Sequence, residues 1–416
     1  MQLGTATVDI TPSAPIDLAG FAARTGPYEK VRAPLSLQVF AFGGDVVLVC
    51  ADLLWWGPDV VAEIRRRVAE EYRISPERLV LHASHTHCAP MPGLTCSPLL
   101  GAGDPAYVAR LVDTTVAAIG RALESSEEVD LCWGRSEAAI GVNRRRKNPD
   151  GTVGGPDPEG EVDHEVVVLS FRRPDGSTKA VMVHYTCHPV ISDARLVGPD
   201  YPGAMREHVA DEVGADVTIG FLQGCCGDVN PALIRDEEFY RGGDEEIDRL
   251  GGRLADAVLE VLGAPMAPLS VPVVMARTGE VSLPLQVPSR HELARRRHEP
   301  AIIGDWASWL LADPSRLVDR IPLTLSVLQL GGVLTLLGFD AEVTVPYGLW
   351  IKRRFSGRVL PLGYTNGMIG YVPTAEQLAD GGYEPDESYQ YIYRPGRFAP
   401  DVEQLVKRAI DDAVHR

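Results

Sequence analysis

The fold follows from Leu79-Val80-Leu81-His82-Ala83-Ser84-His85-Thr86-His87-Cys88-Ala89-Pro90, an apolar run that leads directly into a polar turn. The run predicts a buried β-strand, and two histidines lie where that strand ends. In an extended segment, residues i and i+2 point to the same face, so His85 and His87 can contact one metal ion together. Taken alone, this spacing is more typical of hydrogen-bonded core or surface histidines.

The composition is typical of a globular protein, since 45% of the 416 residues are hydrophobic and 23% are charged. The net charge of −17 argues against nucleic-acid or anionic-membrane partners, because both bind basic surfaces. Seven scattered cysteines imply no disulfide framework, which favours a reducing compartment. The first residues do not form a signal peptide, and no apolar run is long enough to cross a bilayer. We therefore expect a cytoplasmic protein with a small-molecule substrate and no membrane insertion; formation of a homo-oligomer stays open.

Apolar strand-like runs alternate with amphipathic helical patterns along the chain. The patterns predict strands at 46–50, 217–223 and 269–287, a two-strand hairpin at 323–339, and helices at 59–72, 107–123, 200–213, 243–262, 288–312, 347–355 and 402–414. This alternation is typical of α/β layers. Because the sequence has no internal repeat and no low-complexity linker, we predict one domain over residues 1–416.

Polar turns follow four of the apolar strands. The candidate residues in these turns are His85 and His87, His188, Asp228 and Asn230, and Glu342. Ligand sites in α/β proteins collect at the carboxyl ends of strands, so we expect these turns to share one site. Two histidines and a carboxylate, with one position left for water, form a pattern typical of catalytic zinc.

Several motifs occur in a fixed order along the chain. They are Gly4-Thr5-Ala6-Thr7-Val8-Asp9-Ile10-Thr11-Pro12, Ser84-His85-Thr86-His87-Cys88-Ala89-Pro90, Asn143-Arg144, Cys187-His188-Pro189, Gly227-Asp228-Val229-Asn230-Pro231, Gly370-Tyr371-Val372-Pro373-Thr374 and Gly382-Tyr383-Glu384. Together they resemble the catalytic domain of the neutral/alkaline (non-lysosomal) ceramidase family. The resemblance covers nearly the whole chain. It implies an α/β fold of mixed β-sheets packed face to face, with helices on the outer faces in αββα layers.

The resemblance also implies a zinc amidase and a set of metal ligands. His85 and His188 correspond to the two zinc-binding histidines of the family. Glu342 corresponds to the third ligand, and Tyr383 to a tyrosine that reaches the metal. Asp340 is an alternative to Glu342, because the segment Gly338-Phe339-Asp340-Ala341-Glu342 is longer than the usual Gly-Glu of the family.

Further residues correspond to the substrate-contacting groups of the family. His87 and Tyr371 would contact the scissile carbonyl or the oxyanion, although Tyr371 and Tyr383 can exchange roles. Arg144 resembles the arginine that positions the substrate, with Asn143 beside it. From composition alone, the basic run that contains both residues fits either a solvated surface or a site for a substrate anion, since arginine suits carboxylates.

Two departures from the family change the expected mechanism. Asn230 stands where ceramidases have their nucleophilic serine, and an amide cannot attack a carbonyl at neutral pH. From the sequence we also expect neither the C-terminal sandwich domain nor the secretion signal of the family. Asp228 would then orient the glycine-rich turn or move a proton. A thiol nucleophile from Cys225 or Cys226 is a weaker alternative, since most such cysteines are small core residues.

The sequence therefore predicts a zinc-dependent hydrolase of an amide or ester bond in a small soluble substrate, with metal-activated water in place of serine. One alternative is a ceramidase-like N-acyl amidase that acts on lipid amides. The other is a metal-containing binding protein that has lost catalysis.

Overall fold

Three five-stranded mixed sheets form the framework of the computed structural model, which describes residues 1–269 and 273–415. The elements of the first sheet and its connections are β1 Gln2–Asp9, β2 Lys30–Val31, β3 Ser36–Phe42, β4 Val46–Ala51, α1 Pro58–Tyr72, β5 Leu79–Ala83, α2 Pro105–Glu124 and β6 Glu127–Glu128. The strand order is β5-β4-β3-β1-β6, in which only β4 and β5 run parallel. The opening stretch of the sequence is thus β5, a buried strand at one edge of this sheet.

The second sheet uses the middle of the chain. Its elements and connections are β7 Asp130–Glu137, β8 Gly141–Asn143, β9 Glu165–Arg172, β10 Thr178–Tyr185, β11 Leu196–Val197, α3 Asp200–Val213, β12 Thr218–Gln223, β13 Val229–Pro231, β14 Ile234–Arg235, β15 Glu238–Phe239, α4 Asp244–Gly263 and β16 Ala267–Leu269. The strand order is β12-β10-β9-β7-β16, and again only the edge pair, β10 and β12, runs parallel.

The third sheet completes the framework. Its elements and connections are β17 Val274–Gln286, α5 Arg290–Arg296, α6 Ala301–Ala312, β18 Arg320–Leu330, β19 Leu334–Phe339, β20 Glu342–Val343, α7 Val345–Arg354, β21 Val359–Leu362, β22 Tyr371–Val372, α8 Ala375–Asp380, α9 Tyr383–Asp386, β23 Arg397–Phe398 and α10 Val402–His415. The strand order is β21-β19-β18-β17-β23, with β19 and β21 parallel. Short 3₁₀ turns lie at Pro76–Arg78, Pro98–Leu100, Pro314–Arg316 and Ser388–Gln390.

The same topology therefore occurs three times, although the sequence shows no repeat. In each sheet, three antiparallel strands are followed by a helix and by a fourth strand that runs parallel to the third at the sheet edge. The crossover helices are α1, α3 and α7. A tight turn reverses the chain and therefore joins antiparallel strands. Two consecutive parallel strands need a longer crossover, which is a helix in each of these sheets.

The sheets share an inner core, and helices cover their outer faces. Phe42 of the first sheet and Phe171 of the second lie with ring centroids 6.0 Å apart, and Leu336 of the third joins the same cluster. On the outer faces, α1 and α2 cover the first sheet, α3 and α4 the second, and α7 and α10 the third. The predicted α/β class, with mixed sheets and helices outside, is confirmed.

Most predicted elements are present, with one clear exception. The single helix expected at 288–312 is two helices, α5 and α6, and Pro300 precedes the second as its N-cap. Proline lacks the amide hydrogen that a continuous helix requires, so the chain breaks there. The strand expected at 269–287 corresponds to β17, while positions 270–272 lie outside the described residues. Over the described ranges, no helix combines the length and apolarity needed to span a bilayer.

Close packing between the first two sheets gives a test of this architecture. A Cβ added to Gly220 in β12 would lie 2.8 Å from two ring atoms of Phe40 in β3. We expect Gly220→Ala to lower the free energy of unfolding by about 1–3 kcal/mol, because the inner core cannot expand. Urea denaturation measures the change. Gly154→Ala is the control, since its added Cβ meets no atom within 4 Å; equal destabilisation of both variants would contradict the packing.

Candidate active site

The edge strands β5, β12 and β21 of the three sheets are in contact. The amide of Gly363 donates to the carbonyl of Gln223 at 3.2 Å, which joins β21 to β12. The amide of Ala83 donates to the carbonyl of Tyr364 at 3.1 Å, which joins β5 to the turn after β21. The buried ring of His82 accepts at Nε2 from the amide of Gln223 at 2.8 Å. The turns after these strands are therefore held beside one another.

Three residues from three different sheets converge there. His85 follows β5, His188 follows β10, and Glu342 begins β20 directly after β19. Oε1 of Glu342 lies 2.7 Å from Nε2 of His188 and 3.1 Å from Nε2 of His85. All three side chains are buried, at 1%, 1% and 4% exposure for His85, His188 and Glu342. The structure thus brings together the two histidines and the carboxylate that the sequence predicts as metal ligands.

The outer nitrogen of each of these two rings is bound to a main-chain carbonyl. Nδ1 of His85 donates to the carbonyl of Leu54 at 2.7 Å, and Nδ1 of His188 donates to that of Val229 at 3.1 Å. Carbonyl oxygens only accept, so each neutral ring carries its proton on Nδ1 and has a lone pair on Nε2. Metal-binding histidines typically have this outer hydrogen bond, which fixes the tautomer and the ring orientation.

Two nitrogen lone pairs therefore face a carboxylate oxygen at hydrogen-bond distance. Burial lowers the pKa of His188 to about 4, against the effect of its contact with Glu342, so the ring is neutral at pH 7. Lone pairs and an anion this close in a dry space repel one another unless a cation lies among them. Neutral imidazole nitrogens and a carboxylate oxygen are the donors that zinc takes in catalytic sites, so this donor set fits the metal.

His87 adds a third imidazole to the cluster. Nε2 of His87 lies 3.3 Å from Nε2 of His85, and the ligand atoms of these two rings and of His188 lie within 4.8 Å of one another, so the three could hold a metal ion. Burial and the neighbouring histidines lower the pKa of His87 well below its usual value. Two arrangements fit this geometry. His87 either binds the metal or lies beside it and faces a substrate.

The two histidines of the opening stretch do not meet in the way that an extended strand predicts. His85 has a φ of 68°, in the left-handed region, so the expectation of an extended segment is wrong. The positive φ turns the chain after β5, and the rings of His85 and His87 meet edge to face with centroids 4.8 Å apart. A non-glycine residue rarely adopts this conformation, and such strain concentrates at functional sites.

Tyr364 contacts the cluster, although no sequence motif indicates it. Its ring stacks on that of His85 with centroids 3.8 Å apart, and its hydroxyl donates to Oε1 of Glu342 at 3.2 Å. Tyr364 lies two residues after β21. Like His85 and His188, it is a polar residue shortly after an apolar strand, and this position is the sequence signal that points to it.

A second network surrounds Arg144. Its Nε donates to Oε1 of Glu384 at 2.9 Å, its Nη2 to the hydroxyl of Tyr371 at 3.0 Å, and its Nη1 to Oδ1 of Asn230 at 3.3 Å. Arg145 binds the other carboxylate oxygen of Glu384. Burial alone would lower the pKa of Arg144, but Tyr371 and Glu384 hold it well above its usual value. Because Oδ1 of Asn230 accepts from arginine, the amide NH₂ of Asn230 stays available as a donor.

A small cavity of about 40 Å³ reaches the cluster. Its lining is mostly apolar and aromatic and comprises Gly20, Leu54, Trp55, His85, His87, Leu100, Glu342, Met368, Gly370, Tyr371, Tyr383, Ser388, Tyr391 and Ile392. Larger surface depressions of about 770 and 510 Å³ exist elsewhere, but no histidine or tyrosine is among their described lining residues. We therefore locate the candidate site at the small cavity.

Both candidate tyrosines line this cavity. The rings of Tyr371 and Tyr383 meet edge to face with centroids 5.6 Å apart, and Tyr371 is 8% exposed while Tyr383 is 38% exposed. Burial raises the pKa of Tyr371, Arg144 opposes the rise, and the charge of Glu342 adds to it. Tyr371 therefore connects the arginine network to the histidine cluster.

Asp228 lies behind the cavity. Its carboxylate accepts from the amide of Val345 at 2.7 Å and from Nε2 of Gln377 at 2.8 Å, while its carbonyl accepts from the amide of Arg144 at 2.9 Å. Burial raises its pKa to about 6, against the effect of the Val345 amide. These contacts hold the glycine-rich turn and the backbone of Arg144, and none of them involves a residue that lines the cavity.

Two other sequence candidates point away from the histidines. Asn143 donates to the carbonyl of Glu161 at 2.9 Å and accepts from the amide of Arg145 at 3.0 Å, so it orders its own loop. Oδ1 of Asp340 accepts from the amide of Thr324 at 2.8 Å. Neither side chain contacts the histidine cluster among the residues that the structure describes.

The adjacent cysteines are buried beside the cluster. Burial raises the pKa of the Cys225 and Cys226 thiols above the usual range, so both stay protonated at neutral pH. Sγ of Cys226 lies 3.1 Å from the hydroxyl of Tyr364. A protonated buried thiol is a poor nucleophile, so these contacts favour a packing role.

Comparison with known proteins gives similarity in structure but none in sequence. The sequence matches no known family model, and no curated protein matches it at a significant level. The fold is similar to that of neutral ceramidase from Pseudomonas aeruginosa, with a TM-score of 0.76, 20% identity, and coverage of 99% of this chain and 74% of the ceramidase. A ceramidase complexed with C2 gives a TM-score of 0.78, 19% identity and the same coverage. The chain thus has a neutral ceramidase-like fold.

The choice between the two candidate carboxylates can be tested by metal analysis. We expect the purified protein to bind about one zinc ion per chain, and Glu342→Gln to lower the affinity at least tenfold, because it removes a charged donor. Asp340→Asn is the matched control and should keep the metal. Elemental analysis after gel filtration and titration with a chelator measure both. Metal loss only in Asp340→Asn, or no metal in the parent protein, would contradict the assignment.

The contact of Tyr364 with Glu342 predicts a smaller effect. Tyr364→Phe keeps the ring on His85 but removes the hydroxyl that orients the carboxylate, so we expect roughly a tenfold weaker affinity for zinc. Competition with a zinc-sensitive dye measures the affinity. Tyr347→Phe is the control, because it removes a buried hydroxyl that donates to the carbonyl of Pro373 at 3.2 Å, away from the histidines. Equal affinities in all three proteins would exclude this role for Tyr364.

Proposed function

We propose that this chain is a zinc-dependent hydrolase that cleaves an amide or ester bond in a small substrate. The observation that carries the proposal is the meeting of Nε2 of His85 and Nε2 of His188 with Oε1 of Glu342, beside a small and mostly apolar cavity. Zinc bound by such donors lowers the pKa of its water to about 7 and polarises a carbonyl oxygen. The ceramidase-like fold supports a hydrolase of this kind.

The surrounding side chains have roles that follow from their donors. His87 and Tyr371 line the cavity beside the three proposed metal-binding side chains, where a substrate carbonyl would lie. The hydroxyl of Tyr371 donates a hydrogen bond to an oxyanion, and Arg144 keeps that hydroxyl in position. The free NH₂ group of Asn230 is a further donor beside Arg144. Together these groups stabilise the charge that develops on the carbonyl oxygen.

Water is the nucleophile in this proposal. Asn230 has no group that can attack a carbonyl, and the neighbouring Cys225 and Cys226 thiols are buried and protonated. No covalent intermediate on a side chain is therefore expected. The water oxygen forms the new bond to the acyl carbon, the bond to the leaving group breaks, and the leaving group takes a proton.

The size and lining of the cavity indicate the acyl group. A volume of about 40 Å³ accommodates a few heavy atoms, since one water needs roughly 10–15 Å³ and drug-sized ligands occupy cavities of about 300–1,000 Å³. Leu54, Trp55, Leu100, Met368 and Ile392 make the lining apolar. We infer a short apolar acyl group.

A second candidate is an N-acyl amidase that acts on lipid amides. The apolar lining and the similarity to ceramidases favour it, but a long acyl chain requires the cavity to widen by many times its volume. A non-catalytic binding protein is a third candidate, supported only by Asn230 in place of serine. A protein that only binds its ligand does not need hydrogen-bond donors arranged beside a metal site to stabilise an oxyanion.

Chelation of the metal tests the proposal. Short-chain p-nitrophenyl esters, N-acyl amino acids, lactones and N-acyl sphingosines form the substrate panel. We expect turnover of short-acyl members, its loss with dipicolinate, and its return on addition of zinc, because the metal supplies the acidity of the water. A quenched single turnover in ¹⁸O-water should give one labelled oxygen per product acid and no acyl adduct on the protein by mass spectrometry.

The same panel separates the alternatives. Turnover restricted to N-acyl sphingosines would favour the lipid amidase over the small-substrate hydrolase. Zinc binding without turnover of any member would favour the binding protein. An acyl adduct on the protein would contradict the water mechanism.

A further inference from the structure

Two arginines flank an aromatic ring that packs against the candidate site. The ring of Phe21 lies 4.9 Å from that of His87, between centroids. The guanidinium carbon of Arg24 lies 5.1 Å from the centroid of Phe21, and that of Arg241 lies 4.8 Å from it. None of these three residues lines the small cavity, so they form a separate surface beside His87.

Neither arginine has an ion-pair partner. Arg24 donates to three main-chain carbonyls, those of Ala19 at 2.5 Å, His87 at 2.7 Å and Ala194 at 3.4 Å, and its Nε is buried without a hydrogen-bond partner. Arg241 donates to the carbonyl of Val190 at 2.6 Å. In the described ranges 1–269 and 273–415, no salt bridge to a carboxylate is formed by either residue. Arg144, in contrast, pairs with a carboxylate at 2.9 Å.

The surroundings leave this positive charge largely uncompensated. Burial lowers the pKa of both Arg24 and Arg241, and the charge of Arg144 lowers that of Arg241 further. Asp193 acts in the opposite direction on both, but it is exposed and lies outside ion-pair distance. Arg24 is half-buried and Arg241 is exposed, so a ligand in solution can reach this pair. The two guanidiniums give a positively charged surface beside His87, in a chain whose net charge is −17.

We propose that Arg24 and Arg241 form a subsite for a carboxylate of the substrate, beside His87 and outside the apolar cavity. Arginine suits this ligand because its planar fork matches a carboxylate. The inference rests on the proposed function and names its substrate class, which is an N-acylated amino acid with a short apolar acyl group. Water then adds to the acyl carbon, the C–N bond breaks, and the amine takes a proton. The products are a short carboxylate and a free amino acid.

Binding of a compound that cannot be hydrolysed tests the subsite separately from catalysis. The probe is 4-oxopentanoate, in which a methylene replaces the amide nitrogen of N-acetylglycine, and its neutral counterpart is 4-oxopentanamide. Titration calorimetry of the zinc-loaded protein should give at least about tenfold tighter binding of the acid, because charge-assisted hydrogen bonds are the stronger ones. Equal affinities for the two probes would overturn the proposal.

Variants show whether the arginines cause this preference, since a carboxylate can also bind the metal. We expect Arg241→Met to reduce the preference to within about twofold and Arg241→Lys to restore part of it, because the lysine keeps the charge but not the fork. Arg235→Met is the matched control, because Arg235 also lies over an aromatic ring, that of Tyr240, at 4.3 Å. A preference that survives in Arg241→Met would assign the carboxylate to the metal and overturn the subsite.

A second variant covers the risk that one change disturbs the fold. Arg24 binds three main-chain carbonyls, so Arg24→Lys is used there, and its circular dichroism and zinc content are measured first. We expect a several-fold smaller preference for the acid with unchanged zinc content. If the panel of esters and amides shows no turnover while 4-oxopentanoate still binds through Arg241, the proposed function fails and the subsite stands. If esters are hydrolysed but the acid has no advantage, the subsite alone fails.

Discussion

The site depends on one electrostatic constraint, which is the meeting of two imidazole lone pairs with a carboxylate oxygen among buried side chains. The carbonyls of Leu54 and Val229 accept hydrogen bonds from Nδ1 of the two rings. The lone pair of each ring is therefore on Nε2 and faces Glu342. Interactions of this kind are strong in a low dielectric, and they are repulsive here without a cation. Folding therefore assembles a place for positive charge before any substrate arrives.

The threefold repetition of the sheet explains how such distant residues come together. Each unit ends in a parallel edge pair, and the turns after these pairs carry His85, His188, Glu342 and Tyr364. Because the edge strands contact one another through main-chain bonds, the four turns share one location. Placing ligands at the ends of strands from three sheets fixes them more rigidly than a single loop would, since each strand is buried in a core.

The sequence predicts the class of fold and much of the site, because both follow from local patterns. Apolar runs predict β4, β5, β10 and β12, and the polar turns after them contain His85 and His188. Tyr364 lies at the corresponding place in the third sheet, but the sequence does not distinguish it from the other tyrosines of a tyrosine-rich tail. Three features depend on tertiary packing and leave no local pattern: the left-handed φ of His85, the repetition of the sheets, and the pairing of Glu384 with two arginines.

The hydrogen-bond and ion-pair partners of the side chains around the cavity indicate whether any of them can remove a proton from the attacking water. Hydrolysis needs a group that removes a proton from water, and a free carboxylate or a basic histidine usually supplies it. Here Glu384 is neutralised by arginines, Asp228 is occupied by the amide of Val345, and the pKa of His87 is lowered. Asn230 offers only donors. Among the residues described around the cavity, these contacts leave no free carboxylate, so in the proposed hydrolysis a bound metal would supply the acidity of the water.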